Sequence, residues 1–476
     1  METGTERSRV LVVGGGLAGL VAAFRTLQAI PGAQVTVLDA GDRPGGKLRL
    51  EPVAGVPIDV GAESVLARRP EALRLVADLG AADLVVHPDT TTPLVWSRGR
   101  LEVLPVGTLM GVPGRPASAL GVLTVEEVAR ASHELPAAPL GDDDVSVGDY
   151  VAARLGAAVV DRLVEPLLGG VYAGRSRELS LHATVPALWE AASRGESLTA
   201  RAESAAAAAQ ADSSPVFAGL SGGMGKLAAL LTDAIERLGG AIRSRVIARQ
   251  LHQLPGGGWS VVTGPRPKPE LLEADAVVLA TPAAASARLL SEVAPRASAD
   301  LAAIESASMA IVTLAVDRSA LGLLTGSGFL VPPVDGRTIK ASTFSSRKWA
   351  WAADASPEAV FLRASIGRAG EVADLQREDE ELAAIAVAEL GQALGQPLPH
   401  VLDSHVQRWG GGLPQYAVGH LARVERVAAD VAPLAGLELA GAAYSGVGIP
   451  AVIASAEAAA SAVVTHLHSR AAAARQ

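Results

Sequence analysis

The sequence predicts an α/β chain in which a parallel-sheet domain, assembled from non-adjacent segments, is interrupted by a second domain. Three observations carry this. A strand, glycine turn, helix and second strand open the chain. Shorter strand-and-turn patterns of the same kind return near 275–282 and 437–450. The length of 476 residues is too great for one compact core, at roughly 150 residues per domain.

The opening unit is the most specific. Val10–Val13 is a continuous apolar, β-rich run, as a strand buried on both faces requires. It leads into Gly14, Gly15, Gly16, Leu17, Ala18 and Gly19, which satisfy G-x-G-x-x-G. Leu20–Leu27 reads as helix, closed by Pro31 and Gly32, and Gln34–Leu38 as a second strand ending on Asp39. Gly14 permits the tight turn, Gly16 lets a pyrophosphate approach the backbone, and Gly19 lets helix pack on strand. The helix N-terminus offers free N–H groups to phosphate, and Asp39 would accept hydrogen bonds from a ribose. A glycine-rich turn in an unrelated α/β unit would not explain that acid. The unit is a Rossmann-like dinucleotide site.

Composition narrows the function. Hydrophobic residues make up 49% and charged residues 19% of the chain, so it is globular. The net charge of −9 argues against a nucleic-acid partner and offers no polybasic patch for an anionic membrane. No long apolar stretch runs unbroken by glycine or polar residues, so no transmembrane segment is expected. With no cysteine, disulfides, thiolate nucleophiles and cysteine-ligated metals are excluded. The scattered histidines show no metal-ligand spacing. A cytoplasmic protein is expected.

Further along, Ser221–Ala228 opens a helix running to about Leu238, and Gly240–Gln250 reads as a strand containing Val246. A hairpin crosses Pro255–Gly258 into Trp259–Thr263, and 275–282 is a buried strand with its turn. Leu437–Pro450 gives a strand and glycine turn, followed by an alanine-rich helix. The nucleotide-binding domain is therefore expected to take 1–80, 216–290 and 430–476. The inserted domain takes 81–215, largely helical, and 291–429, with strand patterns at 308–317 and 359–366. The alanine-rich Ala200–Ala211 is open between helix and loop.

Directly after Asp39 and Ala40 come Arg43, Pro44, Gly45, Gly46 and Lys47, a basic residue and paired glycines that extend the phosphate cradle. Ile58–Ser64, containing Asp59, Gly61, Ala62, Glu63 and Ser64, reads as a short strand and turn. These segments resemble the R-x-G-G and D-x-G-x-x signatures of the FAD-dependent amine oxidase and protoporphyrinogen oxidase superfamily. The resemblance implies FAD rather than NAD, and that superfamily's architecture. More narrowly, Glu165–Gly174, Arg177–Ser180, Pro215–Lys226, Lys348 with Trp349, Trp409, Leu413–His420 and Gly441–Pro450 match the porphyrinogen oxidases of haem biosynthesis, in order, over nearly the whole chain. Gly111–Gly114 after Leu104 and Pro105 resembles the soluble Gram-positive branch, which oxidises coproporphyrinogen III, and the Ala/Gly/Arg usage suits a high-GC actinobacterium.

The resemblance implies oxidation of a porphyrinogen by hydride transfer to the flavin, in three two-electron steps, with oxygen as acceptor and peroxide formed. A downstream iron-inserting chelatase is an implied partner. No catalytic acid–base residue is expected, because the flavin carries the chemistry. The residues so implied at the cofactor are those of the two glycine segments, Gly61–Ser64, Val246 beside the adenine, Trp409 near the flavin, and Gly448, Ile449 and Pro450 against the isoalloxazine. A tetra-anionic substrate needs a positive mouth. Arg68, Arg69, Arg98, Arg100, Lys340, Arg347 and Lys348 are the candidate propionate partners, each also readable as a solvated charge, with Gly174 beside the substrate. Tyr416 and His420 either pack a turn or touch substrate. The alternatives are a protoporphyrinogen IX oxidase, an amine oxidase, a carotenoid desaturase and a flavin-bound porphyrin carrier without turnover.

Overall fold

The computed structural model describes residues 7–211 and 214–473; the outermost ends of the segments drawn from the sequence, 1–6 and 474–476, and residues 212–213 lie outside it. At its centre is a five-stranded, all-parallel sheet in the order Ala241–Arg243, Gln34–Leu38, Arg9–Val13, Ala276–Leu279, Leu437–Leu439. The first strand is central because it pairs on both sides, Val13 aligning with Leu38 and with Leu279. Alternation sorts its side chains into two cores. Val10 and Val12 pack with helices Leu17–Ala29, Lys226–Arg237 and Ile449–Ala473 on one face. Leu11 and Val13 pack on the other with Trp259, Ala297, Leu301, Val427 and Val431.

Ile449–Ala473 is the one helix among the described residues long and apolar enough to cross a membrane. Its Val452, Ile453, Ala456, Ala459 and Val463 are buried in the first of those cores, against the helix Leu17–Ala29. The helix runs well beyond the stretch expected from the sequence. Its alanines and β-branched residues form a face for another helix to lie against.

The second sheet has seven strands, in the order Val401–Pro414, Ser306–Asp317, Ala359–Ile366, Ile339–Thr343, Gly328–Leu330, Pro93–Ser97, Arg100–Val103. One face, with Val312, Leu314, Val360, Leu362 and Ala364, packs on the helix Asp379–Leu394. Its last two strands come from 81–215, which also holds the short strands Val85–Val86, Thr108–Leu109 and Val112–Pro113 and is helical around Val151, Leu163, Leu168 and Leu188. The last two strands of the sheet are short and joined by a turn at Arg98 and Gly99 with positive φ. Gly240–Gln250 likewise differs from one strand. Ala241–Arg243 ends in the parallel sheet, Arg245 turns with a φ of 59°, and Ala248–Gln253 begins an antiparallel sheet, leaving Val246 in the turn. Ala200–Ala211 is helical, within Leu198–Ala211.

The two sheets are joined by a buried ion cluster. Glu63, after the hairpin Leu50–Val53/Val56–Asp59, receives Lys348 Nζ at 2.7 Å and Arg363 Nη1 at 2.6 Å. Arg363 stands on the Ala359–Ile366 strand, on the face away from the apolar core, and its other nitrogen donates to the Gly61 carbonyl. Burial alone would raise the Glu63 carboxyl, but the two cations outweigh it and hold it at about 2. Because the folded-state value lies below the ordinary 4.5, this stabilisation is present above about pH 4.5 and is lost as pH falls towards 2. It amounts to roughly 3 kcal/mol. Glu63→Gln should therefore lower stability at neutral pH by a similar amount. Urea unfolding from pH 7 to 3 should show a steep acid loss in the wild type and a shallower one in the variant; equal slopes would refute this role.

Candidate active site

The first glycine turn is shaped by contacts between backbones. A Cβ on Gly19 would lie 1.8 Å from the Gly14 carbonyl oxygen, and one on Gly14 (φ 111°) would lie 2.5 Å from the Ala280 carbonyl. Gly16 is the exception: a Cβ there would meet nothing within 4 Å. Gly16 also caps the helix Leu17–Ala29, with no side chain bonded to the helix start. An open helix N-terminus beside a clear approach is the geometry a pyrophosphate requires.

The other cofactor residues are brought to this turn one after another. Asp39 accepts the N–H groups of Gly15 and Gly41, both at 2.6 Å, which fixes its carboxylate beside the turn. Val246 N–H donates to the Asp39 carbonyl at 2.8 Å, with Ala40 exposed alongside, so Val246 stands beside the ribose acid. On the other side Gly45 N–H donates to Gly15 O at 2.8 Å, and Gly46 lies against Gly16. Lys47 O then receives Ala62 N–H at 3.0 Å and sits 1.9 Å from where a Gly61 Cβ would be. Trp409 donates from its indole to Val60 O at 3.0 Å and covers Gly61, while the Lys47 chain reaches Gly412. The Lys47 side chain is accessible yet deep within the protein, and burial lowers its ammonium pKa. Finally, a Cβ on Gly441 would lie 3.9 Å from the Ala18 Cβ, so the segment leading to Gly448, Ile449 and Pro450 passes beside the first helix. Gly448 is exposed immediately ahead of the last helix. These residues form one continuous cradle, and they fit a dinucleotide.

Three cofactor candidates are engaged elsewhere. The Glu63 carboxylate is taken by Lys348 and Arg363, with Ser64 Oγ 3.4 Å from Lys348 Nζ, so this pair anchors the second domain. Arg43 is turned to Glu51 and partly exposed. Of the propionate candidates, Arg69 pairs with Glu71, Arg98 is bidentate to Glu127 at 2.7 and 2.8 Å, and Arg100 lies 3.8 Å from Glu102 on the surface. Arg68 is exposed, Arg347 is half-buried with its Nε unpartnered, and Lys340 is buried beside Gly174.

Tyr416 and His420 pack a turn. The Tyr416 hydroxyl donates to Ala442 O at 2.6 Å and accepts Gly446 N–H at 2.7 Å, closing the Ala442–Gly446 turn, and its ring stacks on His420 at 3.8 Å. The neighbouring Gln415 donates to the Tyr172 carbonyl at 2.8 Å and occupies the space beside Gly174. The Glu165–Gly174 and Leu413–His420 motifs therefore meet here. Tyr444 is turned into the core under the parallel sheet, so it builds no aromatic cage at the turn. Sequence reading missed Asp59, which accepts Met224 and Gly225 N–H at 2.8 and 2.9 Å and fixes the second glycine turn; burial raises it to about 6. An acid inside a short apolar strand was the available signal.

Cradle and fold define a flavin-dependent oxidoreductase, and the chain belongs to the flavin-containing amine oxidoreductase family, whose model matches residues 17–464. Its cofactor is FAD. The chain is 36% identical to coproporphyrinogen III oxidase of Mycobacterium tuberculosis, covering 96% of this chain and 97% of that one. It is 30% identical to coproporphyrinogen III oxidase of Bacillus subtilis, covering 97% and 99%. A crystal structure from Exiguobacterium sp. 255-15, assigned as a protoporphyrinogen oxidase, superposes with a TM-score of 0.84 at 30% identity, covering 97% and 100%. The likeness to porphyrinogen oxidases read from the motifs extends over nearly the whole chain.

Two variants test the cradle. Gly16→Ala should fold with unchanged melting temperature but lose FAD affinity by about tenfold or more, since the methyl enters only the space left for phosphate. The flavin-to-protein absorbance ratio after dialysis reads this, and full retention would count against the assignment. Tyr416→Phe should lose about 1–3 kcal/mol, and the flavin band should shift as the turn relaxes. A melting curve and visible spectrum identical to wild type would show that the joint does not hold the turn.

Proposed function

We propose that this chain oxidises coproporphyrinogen III to coproporphyrin III in haem biosynthesis, with molecular oxygen as acceptor. The balance is three oxygen molecules reduced to three of hydrogen peroxide for the six hydrogens removed. Bound FAD supplies the two-electron acceptor that no side chain of this protein can provide. Val246 and Asp39 would hold its adenosine end, the two glycine segments and Lys47 its phosphates, and Gly61, Trp409 and the Gly446–Pro450 turn its ring. The N-terminus of the last helix would offer partial positive charge to the reduced ring.

One observation carries the reading. The Tyr172–Gly174 segment, Gln415 and Tyr416 lock together against the flavin-facing turn. In sequence these are the features most particular to porphyrinogen oxidases. Helix residues Gly170 and Val171 are exposed beside this joint. Tyr172 and His420 do not exchange protons near neutral pH. Burial pushes Tyr172 up to about 12 and His420 down to about 4. The protein thus positions the substrate, and the pyrrole protons leave to water. The reading extends to a cytoplasmic location, in keeping with a chain free of cysteine, and to a chelatase as the consumer of the product.

The test is oxidation of coproporphyrinogen III and protoporphyrinogen IX without detergent, with porphyrin fluorescence and oxygen uptake followed together. A kcat/KM at least about tenfold higher for the four-propionate substrate is expected, with three oxygens consumed per porphyrin. Preference for protoporphyrinogen, or no turnover of either, would overturn the proposal.

A further inference from the structure

All but one of the charged side chains in the cradle segment 39–64 are committed. Asp39 and Asp59 each accept two backbone N–H groups. Arg43 and Arg49 share Glu51, with Asp42 3.4 Å from Arg49, and Glu63 is held by Lys348 and Arg363. Lys47 is the exception. Among the described residues its ammonium meets no carboxylate and no carbonyl. The side chain is accessible although protein surrounds it, so it borders a space inside the molecule and not the outer surface. A desolvated cation without a partner is costly. This one stands in a cradle shaped for a cofactor that brings its own negative charge.

The packing on either side of Lys47 separates its backbone from its side chain. Gly45 and Gly46 lie on Gly15 and Gly16, the phosphate side, and the Lys47 N–H that follows them meets no carbonyl of the described residues. The Lys47 carbonyl has already crossed to Gly61, where it accepts Ala62 N–H at 3.0 Å. Beyond it the stem runs to Gly412, whose Cβ would lie 3.5 Å from Lys47 Cε and 3.0 Å from Trp409 Cβ. The strand Val401–Pro414 makes room for it. Ala307 pairs with Leu413 and Met309 with Trp409, so Ser308 alone faces Gly410, Gly411 and Gly412, which bulge from the ladder. Ser308 Oγ accepts the Gly411 N–H at 2.9 Å and pins that bulge. The backbone of Lys47 thus stays with the phosphate-side glycines, while its side chain lies among Gly61, Trp409 and Gly412.

We infer, on the ring placement proposed above, that the Lys47 ammonium faces the isoalloxazine of bound FAD and stabilises its reduced, anionic form over its oxidised, neutral form. A charge beside the ring is one of the means by which a protein sets the behaviour of a flavin. Once the cofactor fills the cradle the ammonium is shielded from bulk water, where a single charge acts strongly and needs no reorganisation. The helix N-terminus at Ile449 would offer about half a unit of positive charge, and Lys47 a whole one. Burial lowers the Lys47 ammonium in the empty cradle, and an anion beside it would draw it back up.

The test is the midpoint potential of the flavin, measured anaerobically against a reference dye in FAD-loaded wild type, Lys47→Met and Lys47→Arg. The methionine variant should lose its preference for the reduced form by about tenfold or more, a fall of about 30 mV for a two-electron couple. The arginine variant should recover most of that loss. The deficit should shrink as pH falls and the reduced ring is protonated, whereas a merely structural change would leave an offset that does not follow pH. FAD retained after dialysis should stay within about threefold of wild type, because the glycine turns hold the phosphates. An unchanged potential in Lys47→Met, or a deficit that arginine does not repair, would overturn the assignment. So would loss of FAD from Lys47→Met too great for a potential to be measured, which would put the ammonium on the phosphates. No porphyrinogen enters this measurement, so a failure of the substrate reading would leave its outcome intact.

Discussion

The cofactor end depends on backbone standing directly on backbone. The first helix reaches the first strand where Gly19 meets Gly14 O, the Gly45–Gly46 segment lies on Gly15 and Gly16, and Gly61 lies on Lys47 O. At Gly19 and Gly61 even a methyl group would fall inside the van der Waals radius of a carbonyl oxygen. Everything that follows is positioned by these three approaches. Asp39 is aligned because Gly15 lends it an N–H, Trp409 covers Gly61 because that residue has no side chain, and Lys47 is drawn inward with its carbonyl. Gly16, where nothing presses, is left clear by the same packing.

A second constraint is electrical. The cofactor domain and the seven-stranded sheet meet through Glu63, whose single carboxylate serves two cations from the other domain. Such a cluster is costly to bury unless all its members are bonded, and it specifies orientation because Arg363 also holds the Gly61 carbonyl. The cluster is complete within the protein.

The parts legible in the sequence were those written contiguously. The strand, glycine turn, helix and acid of residues 10–39 fold as their order implies, because each contact there is local or between neighbouring strands. The meeting of Lys47, Gly61 and Trp409 spans most of the chain, and only resemblance indicated it. Side-chain direction was the least readable property. The motif around Glu63 located the residue correctly, but nothing in it said that Lys348 and Arg363 would claim the carboxylate. Arg98 and Arg69 looked like free cations because Glu127 is distant in sequence and because a neighbouring Glu71 does not announce its geometry. The strands Pro93–Ser97 and Arg100–Val103 escaped because each is short and they are joined by a tight turn at Arg98 and Gly99.

The arrangement also bears on why a site with so few reactive side chains can suffice. Tyr416 is held by two backbone partners and His420 is stacked beneath it, so the residues that resemble acid–base groups are fixed in one protonation state by burial. Burial likewise raises the Tyr416 hydroxyl above its ordinary range. A reaction limited by proton transfer would be poorly served by such groups. One driven by aromatisation of the substrate needs chiefly that its reacting carbon be held against the acceptor, and effective molarity makes positioning alone worth many orders of magnitude. The chain invests its specific residues accordingly, in the joint that locates the turn, leaving the electron transfer to the cofactor.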